Sequence, residues 1–108
     1  MTKREHTMQD VIEEILKLVD FNAKNKEQND VRRTNYCASE AYGEARILEF
    51  LGIEYDFSTW MDGEYEMVGY FYVDGVVLVK NGEINWRAYS DAVLDDEHAW
   101  GRKILKAA

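Results

Sequence analysis

The sequence has one cysteine, no proline and no long run of apolar residues. A single cysteine, Cys37, cannot form an internal disulfide and leaves no thiolate zinc cluster. Charged residues interrupt every apolar segment, so neither a signal-peptide core nor a membrane span of about 18 residues is present. We therefore expect a soluble, cytoplasmic protein without membrane contact, although a viral protein would show the same features. The absence of proline is compatible with compact order and excludes nothing by itself.

Basic residues are scarce in the second half of the chain. The formal net charge is −8, and residues 53–108 hold eleven acids against five bases, a balance of −6. Between Ile53 and Val79 there are six acids and no lysine or arginine. Binding to phosphate backbones needs Lys and Arg to displace counterions, so we expect no direct binding of nucleic acid. An acidic surface instead favours a protein partner that is basic.

The length of 108 residues predicts one domain, with a helical part over 7–52, a β-meander over 53–89 and a helix over 90–107. Within the first part, apolar residues at helical spacing predict amphipathic helices over 8–23 and 35–51. The polar residues of 22–35, which overlap the ends of both helices, predict a solvated connector that is either a loop or frayed helix ends. The fold class is therefore α+β: two N-terminal helices, a four-stranded antiparallel meander and a C-terminal helix.

Local signals mark where the two helices begin and end. Thr7 is a suitable N-cap, and Asp10 three residues later makes a weak version of the capping box. Gly52 is suited to the left-handed position after the second helix, with Ile53 returning onto Leu48. These signals place the start of the first helix and the end of the second.

Three Asx-Gly dipeptides, Asp62-Gly63, Asp74-Gly75 and Asn81-Gly82, predict two-residue hairpin turns, because such pairs tolerate the positive φ of a type I′ turn. The strands implied are 53–61, 64–73, 76–80 and 83–89. The register places Val73 opposite Val76 and Lys80 opposite Glu83. Ser90 is then the predicted N-cap of the last helix.

The predicted register sorts the strand residues into two faces, because side chains alternate along a strand. The principal core face holds Ile53, Tyr55, Phe57, Val68, Tyr70, Tyr72, Val77, Val79, Ile84, Trp86 and Ala88. The opposite face holds Trp60, Tyr65, Met67, Phe71, Val73, Val76 and Leu78. Charged and polar residues border that second set: Glu54, Asp56, Lys80, Glu83, Asn85 and Arg87. An apolar centre with a polar rim is typical of an interaction site.

Three interpretations of this second face compete. One of the chain's own helices covers it, most simply the C-terminal helix. Alternatively, two copies pack their sheets together as a homodimer, or a different protein binds there. Trp, Tyr, Met and Phe are enriched in binding hot spots and are also ordinary core residues, so composition does not choose among the three.

The acids around the first hairpin also have two interpretations. They are Glu54, Asp56, Asp62, Glu64 and Glu66. Charges on an edge strand commonly prevent edge-to-edge aggregation. The sharper interpretation is that these carboxylates imitate the phosphates of a nucleic acid bound by a basic partner.

No catalytic motif is present, and we expect neither an enzyme nor a bound cofactor or metal. The best candidate constellation is Asp91, Asp95, His98 and Arg102, which would form one stripe on the last helix. Solvent-exposed pairing explains that spacing more simply than catalysis or metal binding. Cys37 is expected to be a partly buried helical residue rather than a nucleophile.

The sequence therefore favours a non-enzymatic acidic interaction protein that binds a basic, nucleic-acid-handling protein and inhibits it. Anti-CRISPR and toxin-immunity proteins are small, acidic and chemically inert in this way, which is an analogy of size and charge without a matching motif. The alternatives are a homodimeric scaffold or chaperone-like protein that packs through its sheet face, and a small enzyme or metal protein that uses the Asp/His stripe.

Overall fold

The computed structural model describes residues 7–98 and 100. The elements follow in the order α1 (Met8–Glu27), α2 (Val31–Phe50), β1 (Tyr55–Asp62), β2 (Tyr65–Val73), β3 (Val76–Lys80), β4 (Glu83–Ile84) and α3 (Trp86–Leu94). The four strands form one antiparallel sheet in the order β1-β2-β3-β4. The predicted α+β class and meander are confirmed.

The predicted N-terminus of α1 is confirmed. The Thr7 hydroxyl accepts a hydrogen bond from the backbone N–H of Asp10 at 3.3 Å, and the Asp10 carboxylate accepts one from the N–H of Thr7 at 2.9 Å. Both halves of the capping box are therefore formed, and they satisfy two of the donors that a helix start leaves unpaired.

Of the two alternatives predicted for 22–35, the loop is wrong, because most of that segment belongs to the ends of α1 and α2. The helices are separated only by residues 28–30. Asn29 takes the left-handed conformation, with φ of 59°, and the N–H of Asp30 donates to the carbonyl of Asn25 at 3.0 Å. Asn here has the role that Gly usually has at a helix end. The side chain of Asp30 then caps α2 by accepting from the N–H of Arg33.

The end of α2 is as predicted. Gly52 has φ of 71°, and the N–H of Ile53 donates to the carbonyl of Leu48 at 3.0 Å. The N–H of Gly52 donates to the carbonyl of Glu49 at 3.1 Å. This pair of bonds is the Schellman motif, which satisfies two helix-end carbonyls and turns the chain towards the sheet.

Two of the three predicted turns have the predicted form. Asp74 and Gly75 both have positive φ, as do Asn81 and Gly82, which is the requirement of a type I′ turn. Val73 faces Val76, and Lys80 faces Glu83, as expected. The first hairpin differs, because Asp62 is the last residue of β1 and the two turn residues are 63 and 64.

Two β-bulges place several side chains on the opposite face of the sheet from the one predicted. Ser58 pairs with Tyr70 and Thr59 with Val68, so Gly69 has no partner on β1. In the same way, Phe71 pairs with Val79 and Tyr72 with Val77, so Leu78 has no partner on β2. A bulge inserts one residue and so reverses the alternation of side chains beyond it. Simple alternation from the turns therefore assigns several residues to the wrong side.

The consequence is a correction of the predicted docking face. Phe71, Val73 and Leu78 are fully buried, and Met67 is nearly so. Phe71 pairs directly with Phe57, and their ring centroids are 5.7 Å apart. Phe71, Val73 and Leu78 belong to a core that is completed by α1, α2 and α3. The interpretation in which the chain covers its own sheet therefore holds, and the two N-terminal helices cover it together with the C-terminal one. The core consists of Met8, Ile12, Ile15, Leu16, Val19, Ala38, Ala41, Ala45, Leu48, Phe57, Val68, Phe71, Val73, Leu78, Val79, Ala92 and Trp100.

Two asparagine side chains join the helices to the backbone of β2, where the ladder with β3 has ended. Nδ2 of Asn22 donates to the carbonyls of Thr34 at 2.8 Å and Glu66 at 2.9 Å, and its Oδ1 accepts from the N–H of Val68 at 3.1 Å. Asn35 bonds to the N–H of Glu66 and the carbonyl of Glu64. These amides take the place of a neighbouring strand, which explains why a polar residue such as Asn22 is buried within α1.

The last helix begins earlier than predicted. β4 has only two residues, and Asn85 caps α3 by accepting from the N–H of Ala88 at 3.0 Å. Ser90, the predicted N-cap, lies inside α3, which ends at Leu94. Trp86 and Ala88 are therefore helical and do not belong to a strand. Residues 101–107 of the predicted helix lie outside the described residues.

Candidate interaction surface

The side of the sheet that turns away from α1 and α2 is the outer face. It comprises Asp56, Ser58 and Trp60 of β1, Tyr70 and Tyr72 of β2, and Val77 and Lys80 of β3. The cross-strand pairs Ser58–Tyr70, Asp56–Tyr72 and Tyr72–Val77 define it, because directly opposed residues share a face. Every one of these side chains is exposed or half-buried. The outer face is thus an aromatic and polar surface that the described helices leave open.

Trp60 is the largest exposed side chain on the outer face, with 52% of its surface accessible. Its indole lies on the backbone of Gly69, where an added Cβ would be 3.0 Å from the Trp60 Cδ1 atom. The bulge at Gly69 therefore creates the flat site on which the ring rests. An open groove of about 460 Å³ runs beside it, lined by Ser58, Trp60, Gly69, Tyr70, Lys80 and Asn81.

Carboxylates lie at the other end of the outer face. Asp56 is exposed, and the Tyr72 hydroxyl donates to Oε1 of Glu54 at 3.0 Å. That hydrogen bond raises the pKa of Tyr72, because the neutral hydroxyl is the donor. On the β3 side, Glu83 of β4 is directly opposite Lys80 in the strand register. The outer face and its border thus carry three carboxylates and one lysine.

The predicted acidic surface is only partly one surface. Asp62 forms a salt bridge of 2.9 Å with Lys26, which raises the pKa of the lysine. The same ammonium lies 5.7 Å from the centre of the Tyr65 ring. Glu66 is half-buried and Glu64 is exposed. Glu54 and Asp56 are therefore the carboxylates that lie with the exposed aromatic residues.

Of the seven residues predicted to bind a partner, Trp60 is the one that is exposed on the outer face. Tyr65 and Val76 are half-buried, and Phe71, Val73 and Leu78 are in the core. Met67 is buried directly opposite Trp60, whose face it shares. Tyr70 and Tyr72 were assigned to the core from the sequence and belong instead to the outer face. Gly69 within an otherwise regular strand pattern was the available signal for a bulge.

The constellation predicted on the last helix is not assembled. Asp95 has left the helix, with ψ of 130°, and Asp91 is 4.0 Å from Arg87. Nδ1 of His98 is instead 3.4 Å from Oδ2 of Asp74, in the β2–β3 turn. Arg102 lies outside the described residues. In the part of the chain that the structure describes, no three His, Cys, Asp or Glu side chains are grouped as metal ligands.

Cys37 is a buried helical residue, as predicted. Its sulfur lies 3.7 Å from Nδ2 of Asn25, and burial raises the pKa of the thiol. A raised pKa lowers the fraction of thiolate, which is the reactive form. Cys37 therefore belongs to the packing between α1 and α2.

Comparison with known proteins gives no relative: no family model, no curated protein and no solved structure matches the chain. Over the described residues, no helix combines the length and the hydropathy that crossing a membrane requires.

Proposed function

We propose that the chain is a non-enzymatic, cytoplasmic acidic protein that binds a basic, nucleic-acid-handling protein and inhibits it by occupying the surface where phosphates would bind. The observation that carries the proposal is the outer face, which presents the half-exposed Trp60 at one end and Tyr72 with Glu54 and Asp56 at the other. Trp and Tyr are the side chains that most often dominate binding energy, and carboxylates around them select a basic partner.

The overall charge supports the same proposal. A chain of net charge −8 repels nucleic acid and approaches a cationic groove quickly at low ionic strength. Within the outer face, Trp60 would supply the apolar anchor, and Glu54 and Asp56 would pair with Lys or Arg of the partner. Because surface charge pairs contribute little by themselves, most of the affinity is expected from the aromatic residues.

The two alternative functions have less support. The homodimer that packs through Phe71, Val73 and Leu78 would need side chains that are buried in the core. The small enzyme or metal protein would need Asp91, Asp95 and His98 on one helical stripe, and Asp95 and His98 lie beyond the end of α3.

Affinity capture with the whole chain, from a nuclease-treated lysate of the source organism, tests the proposal. The expected result is a captured protein of basic pI that heparin displaces and that Trp60→Ala or Asp56→Lys no longer retains. Glu27→Lys is the matched charge control, since Glu27 is exposed and lies on α1, on the other side of the sheet. Capture that is insensitive to heparin, or equal for all variants, contradicts the proposal.

A further inference from the structure

The helix α2 carries a second apolar stripe that points away from the core. Tyr36, Ile47 and Phe50 are 64%, 40% and 81% exposed. With Gly43 they are spaced by seven, four and three residues, which places all four on one side of a helix. The buried residues of α2, Thr34, Cys37, Ala38, Ala41, Ala45 and Leu48, occupy the opposite side. We call the four outward positions the α2 stripe.

Gly43 has no explanation within the chain. It lies in the interior of a 20-residue helix, where glycine destabilises relative to alanine. Its φ is not in the positive range that favours glycine, and an added Cβ would meet no atom within 4 Å. Neither backbone conformation nor intrachain packing therefore requires glycine. A glycine at the centre of an exposed apolar stripe allows another backbone to approach the helix closely.

One border of the α2 stripe is acidic, and the opposite border carries the exposed Arg46. Glu40 and Glu44 follow one edge of the stripe, and Glu14 of α1 is close enough to influence Glu44. Partial burial, together with the charges of Glu14 and Glu40, raises the pKa of Glu44. Among the described residues, the salt bridges of the structure involve none of these three carboxylates. A cation placed at this edge would relieve the repulsion.

The acidic border also indicates what kind of molecule binds the α2 stripe. An antiparallel second copy would bring Glu40 and Glu44 of one helix beside the same two residues of the other, since equivalent edges meet across a two-fold axis. Like charges at that distance oppose association. A helix with an apolar side and Lys or Arg along its edge meets both the stripe and its border favourably.

We propose that the α2 stripe binds an amphipathic helix of a basic partner protein, which crosses α2 at Gly43 and places Lys or Arg against Glu40 and Glu44. This surface is distinct from the outer face of the sheet and does not depend on it. Tyr36, Ile47 and Phe50 would supply the apolar contacts on both sides of the crossing point.

The test uses ¹⁵N NMR titration of the whole chain with an 18-residue Leu/Lys amphipathic peptide and with its Leu/Glu counterpart. The expected result is saturable shifts of the amides of 36–50 with the Leu/Lys peptide alone. Gly43→Ala should weaken that binding at least about fivefold, as hot-spot changes do, while it raises the midpoint of thermal unfolding. Glu40→Lys should weaken binding by a similar factor, and Trp60→Ala should leave it unchanged.

Three outcomes would overturn the proposal. One is unchanged affinity of the Gly43→Ala variant. Another is a set of shifts that spreads over the outer face or over unrelated acidic residues. The third is light scattering that shows a dimer of the chain that Phe50→Asp dissociates, since the occupant would then be a second copy. Loss of lysate capture by Trp60→Ala with unchanged peptide binding would separate this surface from the proposed function of the outer face.

Discussion

The two faces of the sheet differ in burial, although neighbouring residues of the same strands form them. On β2, Phe71 and Val73 are fully buried under the helices, whereas Tyr70 and Tyr72 line the open side. The inner side is closed by aliphatic and phenyl groups, and the outer side presents hydroxyl, carboxylate and indole groups. One residue of register therefore separates a core position from a surface position in this sheet.

The comparison also shows where that register is decided. The hairpin ends alone do not set it, because each of the two bulges, at Gly69 and Leu78, reverses the alternation once. Gly69 additionally leaves room for the Trp60 indole on the outer side. The same bulge thus sends Phe71 into the core and supports the exposed tryptophan.

The largest expected difference between the faces is at two adjacent positions of β2. Phe71→Ala removes a fully buried ring and should lower the free energy of unfolding by about 4 kcal/mol. Tyr70→Ala, on the outer side, should cost about 1 kcal/mol or less. Urea denaturation followed by circular dichroism measures both. Equal losses for the two variants would mean that the faces are not divided as described.

A second difference is expected between the two asparagines that bond to β2. Asn22→Ala leaves the N–H of Val68 and the carbonyl of Glu66 without these partners in a buried site, so we expect a loss of about 3 kcal/mol. Asn35→Ala acts on groups nearer to solvent and should cost about 1 kcal/mol. Hydrogen exchange of the Val68 amide should quicken in the first variant alone; unchanged protection would contradict the bond.

The covered side should also respond to high pH more strongly than the open side. Tyr89 donates to Oε1 of Glu13 at 2.6 Å, and burial together with this bond raises its pKa above the usual value of 10.0. The unfolded chain ionises this tyrosine first, so stability is complete below pH ~10 and falls as the pH rises further. Because Tyr89 is half-exposed, the loss should be less than about 1 kcal/mol per pH unit.

Tyr89→Phe should reduce the loss of unfolding free energy above pH ~10, measured by urea denaturation between pH 8 and pH 11. The matched control is Tyr70→Phe, on the open side of the sheet, which should leave the slope close to that of the parent chain. A parent chain that gains stability above pH 10 would show that the sign of the Tyr89 effect is wrong.

The smallest expected effect is at the bulge itself. Gly69→Ala places a methyl group 3.0 Å from Trp60 Cδ1, and the half-exposed ring can move outward to accept it. We expect a change in stability within about 1 kcal/mol and a red shift of the Trp60 fluorescence. The shift is measured in a Trp86→Phe background, after subtraction of the Trp100 emission that a Trp60→Phe variant of that background gives. An unchanged spectrum would indicate that the indole does not rest on Gly69.

The sequence predicted what depends on local chemistry. The capping box at Thr7, the Schellman motif at Gly52 and the turns at Gly75 and Gly82 each need only a few neighbouring residues, and each has the predicted form. Asn29 was harder to assign, because an asparagine ends α1 where glycine is the usual signal.

What depends on distant contacts could not be predicted in this way. The sequence places Asn22 and Asn35 in a polar connector, because most of the backbone groups that bond to their side chains are in β2 and the turn before it, some 30 to 45 positions further along the chain. The outer face was likewise misassigned beyond Gly69. The partners proposed for the outer face and for the α2 stripe correspond to no sequence motif. The sequence signals for them are charge and aromatic residues, which are less specific.

The amide groups of Asn22 and Asn35 have a consequence for the state of the protein at high concentration. They occupy the flank of β2 that would otherwise invite another strand, and the far end of the sheet is a strand of two residues. In the described part of the chain, β1 is therefore the one long edge strand to which another strand can be added. Growth into a fibril needs two open edge strands per molecule. Association through β1 alone would therefore stop at a dimer.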